Sequence, residues 1–498
     1  MTTESSFSNP FTDYNANVMD SRKILDYWCN PFSKKASLSE ENLFKDNMPI
    51  VFLGGRGSGK TMFLKYFSYS VQKDAALRSR KVDPARAIIP YLRSKGGIGF
   101  YLRFDGPLLR SFGGLGVGVS VFSHYFELQV CKAYIEVIAD LVQRKELNEQ
   151  LLVAGFIPEI ARLLGKKDFK NVKDVKEFIE DSILEVTDFR AAVAFADVKF
   201  NPTKAFAPQD LSFRVPEIAR DTIEELKDLN FVILLDEYEN FDEHQQIMIN
   251  TLMKFVKKGV TFRVGMRQEG FHTFDTTSPR EFIKEGRDYS KHVFEEFLTR
   301  NEDYRSFLLD VARRRLASSP LLTSKNYLDI EGFLGVREDL EEEALKLVGK
   351  PTGVPKHFEL LKSTATGILS VADARRAIAR PDRPLVEMMN IVWLLRGKNL
   401  EETRLAMSEF IAGEKTQLSQ KYRNDYTNKY KLSLMFLLIS QYRKHKMYYS
   451  FNTFCFLSSG IVGNFIELCR RSFQYAIFNN REELLEKGRI SADLQDRA

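Results

Sequence analysis

The sequence predicts an α/β fold built on a parallel sheet, and two apolar runs and a third strand pattern predict it. Pro49-Ile-Val-Phe-Leu53 and Phe231-Val-Ile-Leu-Leu235 are continuously apolar, and Val260-Thr-Phe-Arg-Val-Gly-Met-Arg267 reads as a third strand. Unbroken apolar strands are buried on both faces, the condition of a parallel sheet covered by helices. Each run also stops at residues with chemistry to offer: a glycine-rich loop, a pair of carboxylates and an arginine. Ligands of open α/β sheets bind beyond the carboxyl ends of the strands, so the three endings converge on one crevice.

The chain has 498 residues, of which 44 % are hydrophobic and 28 % charged. That allows two to four domains with a sizeable core and excludes wholesale disorder. Lys and Arg number 73 against 67 Asp and Glu, a net charge of +6. The excess is too small for a polyelectrolyte binder, so any nucleic-acid footprint is local. Cys29, Cys131, Cys455 and Cys469 form no CxxC pair, and the scattered histidines form no HExxH. A disulfide framework and a cysteine-based zinc site are therefore not expected, and a reducing cytosol fits. Met1 to Asn9 is polar, without a secretory h-region, and runs such as Leu432 to Ile439 fall short of the ~20 residues of a membrane span. The expectation is a soluble cytoplasmic protein with no membrane partner.

The first strand leads into Gly54-Gly55-Arg56-Gly57-Ser58-Gly59-Lys60-Thr61, and a helical pattern follows through Met62, Phe63, Tyr66 and Phe67. This is GxxxxGKT in strand–loop–helix context, a P-loop. Its glycines let successive backbone N–H groups curl around a phosphate while the next helix points its N-terminus at the same charge. Lys60 is expected to reach the terminal phosphates and the Thr61 hydroxyl to ligate Mg²⁺.

A second early strand, Gly99-Phe-Tyr-Leu-Arg-Phe104, precedes a long interval before Asp236. Most of that interval, about 106–215, reads as a helical insertion, with Val121 to Val142 its longest periodic stretch. The cluster Gly113-Gly114-Leu115-Gly116-Val117-Gly118 lacks a lysine and a preceding strand, so it reads as a loop and not a second phosphate cradle. At the end of the next strand, Asp236 is placed to hold Mg²⁺ and Glu237 to polarise an attacking water. Asn240 is a lesser polar candidate. Arg267, ending the following strand, suits either a γ-phosphate contact or a surface ion pair.

With these parts in place, the chain resembles the AAA+ class of P-loop ATPases, closest to its bacterial origin-recognition-like branch bordering the STAND signalling ATPases. The residues that carry the likeness are GGRGSGKT at 54–61, ILLDEYENF at 233–241 and VGMR at 264–267. Asn9-Pro10-Phe11 resembles the segment that lies near the adenine in that group. The likeness covers about 9–360 and implies a P-loop NTPase parallel-sheet core with a helical insertion, a helical lid and a winged-helix-like C-terminal module. Its division would be 1–48 near the adenine, 49–298 as ATPase core, 299–368 as lid and 369–498 as C-terminal module. ATP and Mg²⁺ are the implied ligands.

Within the lid, Thr352-Gly353-Val354-Pro355-Lys356-His357-Phe358 resembles both the second sensor of AAA+ proteins and the GxP motif of STAND proteins. The resemblance makes Lys356 a nucleotide contact, although a lysine replaces the expected arginine and loses its two-pronged fork. It also implies an arginine supplied by a neighbouring subunit, with Arg280 and Arg287 the positional candidates.

From Lys415 to Lys446 there are eight cations and one acid, with Tyr422, Tyr426 and Tyr430 spaced four apart. A tyrosine stripe flanked by Lys421, Arg423, Lys429, Lys431, Arg443 and Lys444 suits DNA; the same stripe also suits packing against a neighbouring element. A helix at 432–442, a strand at 447–450 and helices at 451–478 would make a winged-helix module. Leu457-Ser458-Ser459-Gly460 looks like the ABC-transporter signature but follows the Asp-Glu strand where that signature precedes it, so it reads as a helix-start turn. The tail, Arg481 to Ala498, ends without a cap, which fits a chain that continues into a further domain. Three functions fit these residues. The first is an ATP-hydrolysing switch acting on a partner protein or its own oligomer, which the resemblance associates with anti-phage defence. The others are a DNA-binding initiator or loader, and a scaffold holding ATP as a structural ligand.

Overall fold

Strand β1, Ile50–Leu53, lies at the heart of a five-stranded sheet of order β2-β3-β4-β1-β5. The others are β2 (Gly97–Arg103), β3 (Asn230–Asp236), β4 (Val260–Met266) and β5 (Ser290–Val293), and all four pairings are parallel. Register sets the site: Leu53 lies opposite both Met266 and Val293, and Arg103 lies opposite Asp236. The P-loop, the two acids and Arg267 thus leave one edge of the sheet together. In this computed structural model the described residues are 8–32, 38–79, 87–112, 118–166, 168–193, 200–202, 204–298, 301–335, 339–349, 353–364, 370–479 and 481–498. The glycine cluster at 113–118 lies almost entirely outside them, as does Thr352.

The four strands expected for the sheet are present within two residues. Strand β5 was not expected. It is four residues long, Ser-Lys-His-Val, and only partly buried, so no apolar pattern announces it.

Helix α1, Lys60–Tyr66, follows the P-loop, and helices occupy most of the described part of 106–215. The longest are α2 (Gly118–Gln143) and α3 (Val172–Val193), followed by α4 (Arg214–Thr222). Helix α2 covers the sheet: Tyr134 meets Phe100 edge-on at 4.6 Å and Phe231 at 5.4 Å. The insertion is thereby one core with the sheet. Its returning loop is pinned by Glu127, a wholly buried carboxylate on α2. It accepts from the backbone N–H groups of Gln209, Leu211 and Ser212 and from the Ser212 hydroxyl, at 2.7–2.9 Å. Burial pushes the Glu127 carboxyl up to about 7 against those donors.

A second buried charge secures the approach to β1. The Arg263 guanidinium on β4 has no carboxylate partner; it donates to the carbonyls of Leu43, Asp46, Met48 and Phe262 and to the Thr261 hydroxyl. Desolvation lowers its pKa to about 9.

Beyond the sheet, α5 (Asn301–Ala317) leads out of the core. Contacts divide the chain into two units, Met1–Ile330 with Cys455–Ile477, and Glu331–Phe454 with Phe478–Ala498. The chain leaves the first unit near 330 and returns to it at 455, positions other than the boundaries expected at 298/299 and 368/369. The reason is helix α8, Val462–Asn479, whose Phe465, Ile466, Cys469 and Phe473 are buried within the first unit. Amphipathic spacing announces such a helix without saying which unit it covers.

Among the described residues the regular elements of the second unit are all helices, including α6 (Pro384–Leu395) and α7 (Lys431–Tyr442). Met447–Ser450, expected as a strand, is irregular, so the winged-helix likeness is corrected to a helical module. The tyrosine stripe follows its packing alternative. Tyr422 is fully buried and donates to Asn390 Oδ1 at 2.6 Å, Tyr426 donates to Glu341 Oε1 at 2.7 Å, and Tyr430 stacks under Arg396. Tyr422 and Tyr426 are core, and Tyr430 is half-buried against it. Among the flanking cations, Lys429 pairs with Asp425, Lys431 pairs with Asp339, and Arg423 lies over Phe410.

Candidate nucleotide site

The P-loop begins where β1 ends. Gly57 and Gly59 have φ of +84° and +105°, a left-handed conformation that side chains resist, and the reversal turns the loop's amides inward. Lys60, first residue of α1, folds back so that its ammonium donates to the carbonyls of Gly54 (2.6 Å) and Gly55 (3.0 Å) and to Ser58 Oγ (3.3 Å). Burial lowers its pKa, while Glu239, Asp236 and Glu295 oppose the shift. Beneath the loop, Glu295 Oε1 accepts the Gly55 N–H at 2.5 Å, and its Oε2 is buried without a partner.

Asp236 closes β3, almost wholly buried. The Tyr101 hydroxyl donates to Oδ2 at 2.9 Å, the Glu237 N–H to Oδ1 at 2.9 Å, and Thr61 also bonds the carboxylate. Desolvation raises its pKa against these donors. Thr61 and Asp236 thus present adjoining hard oxygen ligands, a donor set that fits Mg²⁺.

Glu237 occupies a strained backbone position, φ +56°. Its Oε2 is held from two sides, by Arg103 Nε at 3.0 Å and Asn240 Nδ2 at 3.0 Å. Arg267 pairs with Glu239 Oε1 at 3.1 Å and is largely exposed on the cavity wall. A cavity of about 640 Å³ joins Arg56, Gly57, Ser58, Gly59, Lys60 and Thr61. Asp236, Glu237 and Arg267 line it as well.

Lys356 belongs to the second unit, where its ammonium stands over the Tyr442 ring at 5.9 Å. Helix α8 is what reaches the loop: Gly463 N–H donates to the Gly57 carbonyl at 2.9 Å. Asn9, Pro10 and Phe11 clamp the far side of that helix, Phe11 against the Phe473 ring at 5.2 Å and Asn9 Nδ2 on the Arg470 carbonyl at 2.7 Å. The cavity wall is made instead by Tyr14–Asn17 and by Tyr27, Trp28, Cys29 and Pro31.

Here sequence reasoning missed a signal. Asn-Pro-Phe occurs twice, at 9–11 and 30–32, and both copies fold into the same turn, with the asparagine Oδ1 accepting the phenylalanine N–H at 3.0 and 2.8 Å. The second copy supplies Pro31 to the cavity. Arg315 on α5 was also missed. It is buried, its guanidinium lies 4.6 Å over Tyr27, and its Nε has no partner; nor does Asn17 Oδ1. Buried unpaired polar atoms lining one cavity mark it as built for a polar ligand.

The meeting of α8 with the P-loop depends on two glycines. A Cβ on Gly463 would stand 3.0 Å from Gly57 Cα and 3.1 Å from its carbonyl oxygen. Gly463→Val is therefore expected to lift the helix and speed release of a fluorescent ATP analogue by about tenfold, the equivalent of ~1.4 kcal/mol. Unchanged release in stopped-flow would refute the contact's role.

The four cysteines are free, no described helix is long and apolar enough to cross a membrane, and no described cluster of His, Cys, Asp and Glu suits a metal. No curated protein and no solved structure matches the sequence. The profile of one family, ORC-CDC6-like, matches residues 9–498.

Proposed function

Because the chain belongs to the ORC-CDC6-like family of AAA+ P-loop ATPases, we propose that it is an ATP-hydrolysing switch whose catalytic base is restrained at rest. The observation that carries this reading is the grip of Arg103 and Asn240 on Glu237. In it, Lys60 and the inward amides of Gly57 to Thr61 hold the triphosphate, and Thr61 with Asp236 would hold Mg²⁺, which neutralises phosphate charge when bound. Glu237 takes the proton of the attacking water only when freed from Arg103. Arg267 leaves Glu239 to meet the γ-phosphate. Helices α5 and α8 line the nucleotide cavity and are the segments through which the chain passes to and from the second unit. The output is control of a partner protein or of self-assembly, with Arg280 or Arg287 available to a neighbouring copy, and anti-phage defence is one setting for it.

The test is steady-state ATPase of the protein at two concentrations, alone and with duplex or single-stranded DNA, beside Lys60→Ala. Slow turnover that rises with protein concentration, ignores DNA and falls at least about tenfold in Lys60→Ala supports the switch. DNA-stimulated turnover overturns it in favour of an initiator or loader. Tight nucleotide retention without turnover overturns it in favour of a scaffold.

A further inference from the structure

The second unit contains a cavity of its own, about 590 Å³, that no part of the ATPase reading uses. Its floor is apolar, made by Leu334, Leu347, Met435, Met447 and Ile490. One wall is Lys444-His445-Lys446, part of the basic run that begins at Arg443. That segment is held between two non-glycine residues with left-handed backbone, Arg443 (φ 49°) and Ser450 (φ 86°). Strain of this kind persists only where surrounding contacts impose it. They do so here: Asp496 receives the His445 ring nitrogen at 3.0 Å and the Tyr448 N–H at 2.6 Å, and Gln495 Oε1 receives the Ser450 N–H at 2.9 Å.

The charges are unevenly matched. Lys446 is buried in the cavity wall and paired with Glu343, which is equally buried. A buried pair repays its desolvation poorly as a stability device. Lys444 and Arg489 line the same cavity beside Lys346 and Glu483, and neither Lys444 nor Arg489 forms an ion pair among the described residues. An apolar floor under unmatched cations recognises one class of molecule, an apolar or aromatic body bearing an anionic head. The volume lies within the roughly 300–1,000 Å³ of small-molecule sites.

We propose that this cavity binds a small amphipathic anion, carboxylate, phosphate or sulfonate, with its head against Lys444, Lys446 and Arg489. The basic run that suggested DNA is here folded into a concave wall and a ligand clamp.

Anilinonaphthalene sulfonate is the probe, with its uncharged parent phenylnaphthylamine for comparison, titrated into the full chain under saturating Mg-ATP. One saturable site per chain is expected, binding the sulfonate about tenfold more tightly than the parent, as one charged hydrogen bond provides. Lys444→Gln with Arg489→Gln, both exposed, should erase that preference while ATP binding and thermal midpoint are unchanged. Leu347→Trp, which fills the floor, should abolish binding of both probes. Equal affinity for the two probes, or a preference unaltered in the double glutamine variant, overturns the proposal.

Discussion

Glu237→Gln is expected to lower ATP turnover at least a hundredfold while nucleotide affinity stays within about twofold, the separation expected when a general base is lost and binding groups are not. Glutamine keeps the shape and can still accept from Asn240, but it cannot take a proton from water. The residue stands apart from the phosphate cradle, so Lys60 and the loop amides still hold nucleotide. A companion variant reads the restraint. Arg103→Ala removes one of the two groups on Glu237 Oε2 and is expected to raise basal turnover, whereas a merely structural Arg103 would leave it equal or lower. Single-turnover hydrolysis with pre-bound nucleotide separates both effects from product release. Glu237→Gln at wild-type rate would remove Glu237 from the chemistry.

Glu127→Ala is expected to destabilise the protein by about 3–5 kcal/mol, because it strands four hydrogen-bond donors and opens a cavity in the core shared by the insertion and the sheet. Three of the donors are backbone N–H groups of the returning loop, which also carries Gln209 at φ +80°. The Tyr134 hydroxyl and the His124 ring also hold this loop, at the Ser212 carbonyl and the Phe206 N–H, but neither accepts from the donors that Glu127 serves. Glu127→Gln should fall between, since its amide retains one accepting oxygen and turns an N–H₂ toward donors. Urea unfolding checks this, and a change below about 1 kcal/mol in the alanine variant would mean the loop is held otherwise.

How far the sequence reached depends on whether a feature is local. The P-loop, the Asp236-Glu237 pair and the four long strands were legible because each is written in adjacent residues with its own spacing. Arg103 was not, although it lies in an expected strand. Its meaning comes from register, which sets it opposite Asp236 and brings its side chain to Glu237. Arg315 was not legible either, since its burial and the tyrosine beneath it are tertiary facts. Helix α8 was not read as part of the site, because the glycine that touches Gly57 lies more than four hundred residues from it and no local pattern links the two. The tyrosine stripe shows the same limit, because helical spacing identifies a face and not what covers it.

The hydrogen bond between Gly57 and Gly463 ties together points more than four hundred residues apart, as does that between Asn9 and Arg470. At synthesis rates of ~5–20 residues per second, roughly 20–80 s separate the appearance of the P-loop from that of the helix that rests on it. For that interval the nascent chain displays every phosphate-binding residue with one wall of the pocket missing. On the proposed reading, full nucleotide affinity comes only once α8 has been made, and a chain stalled within the second unit is expected to release nucleotide faster than one that contains α8.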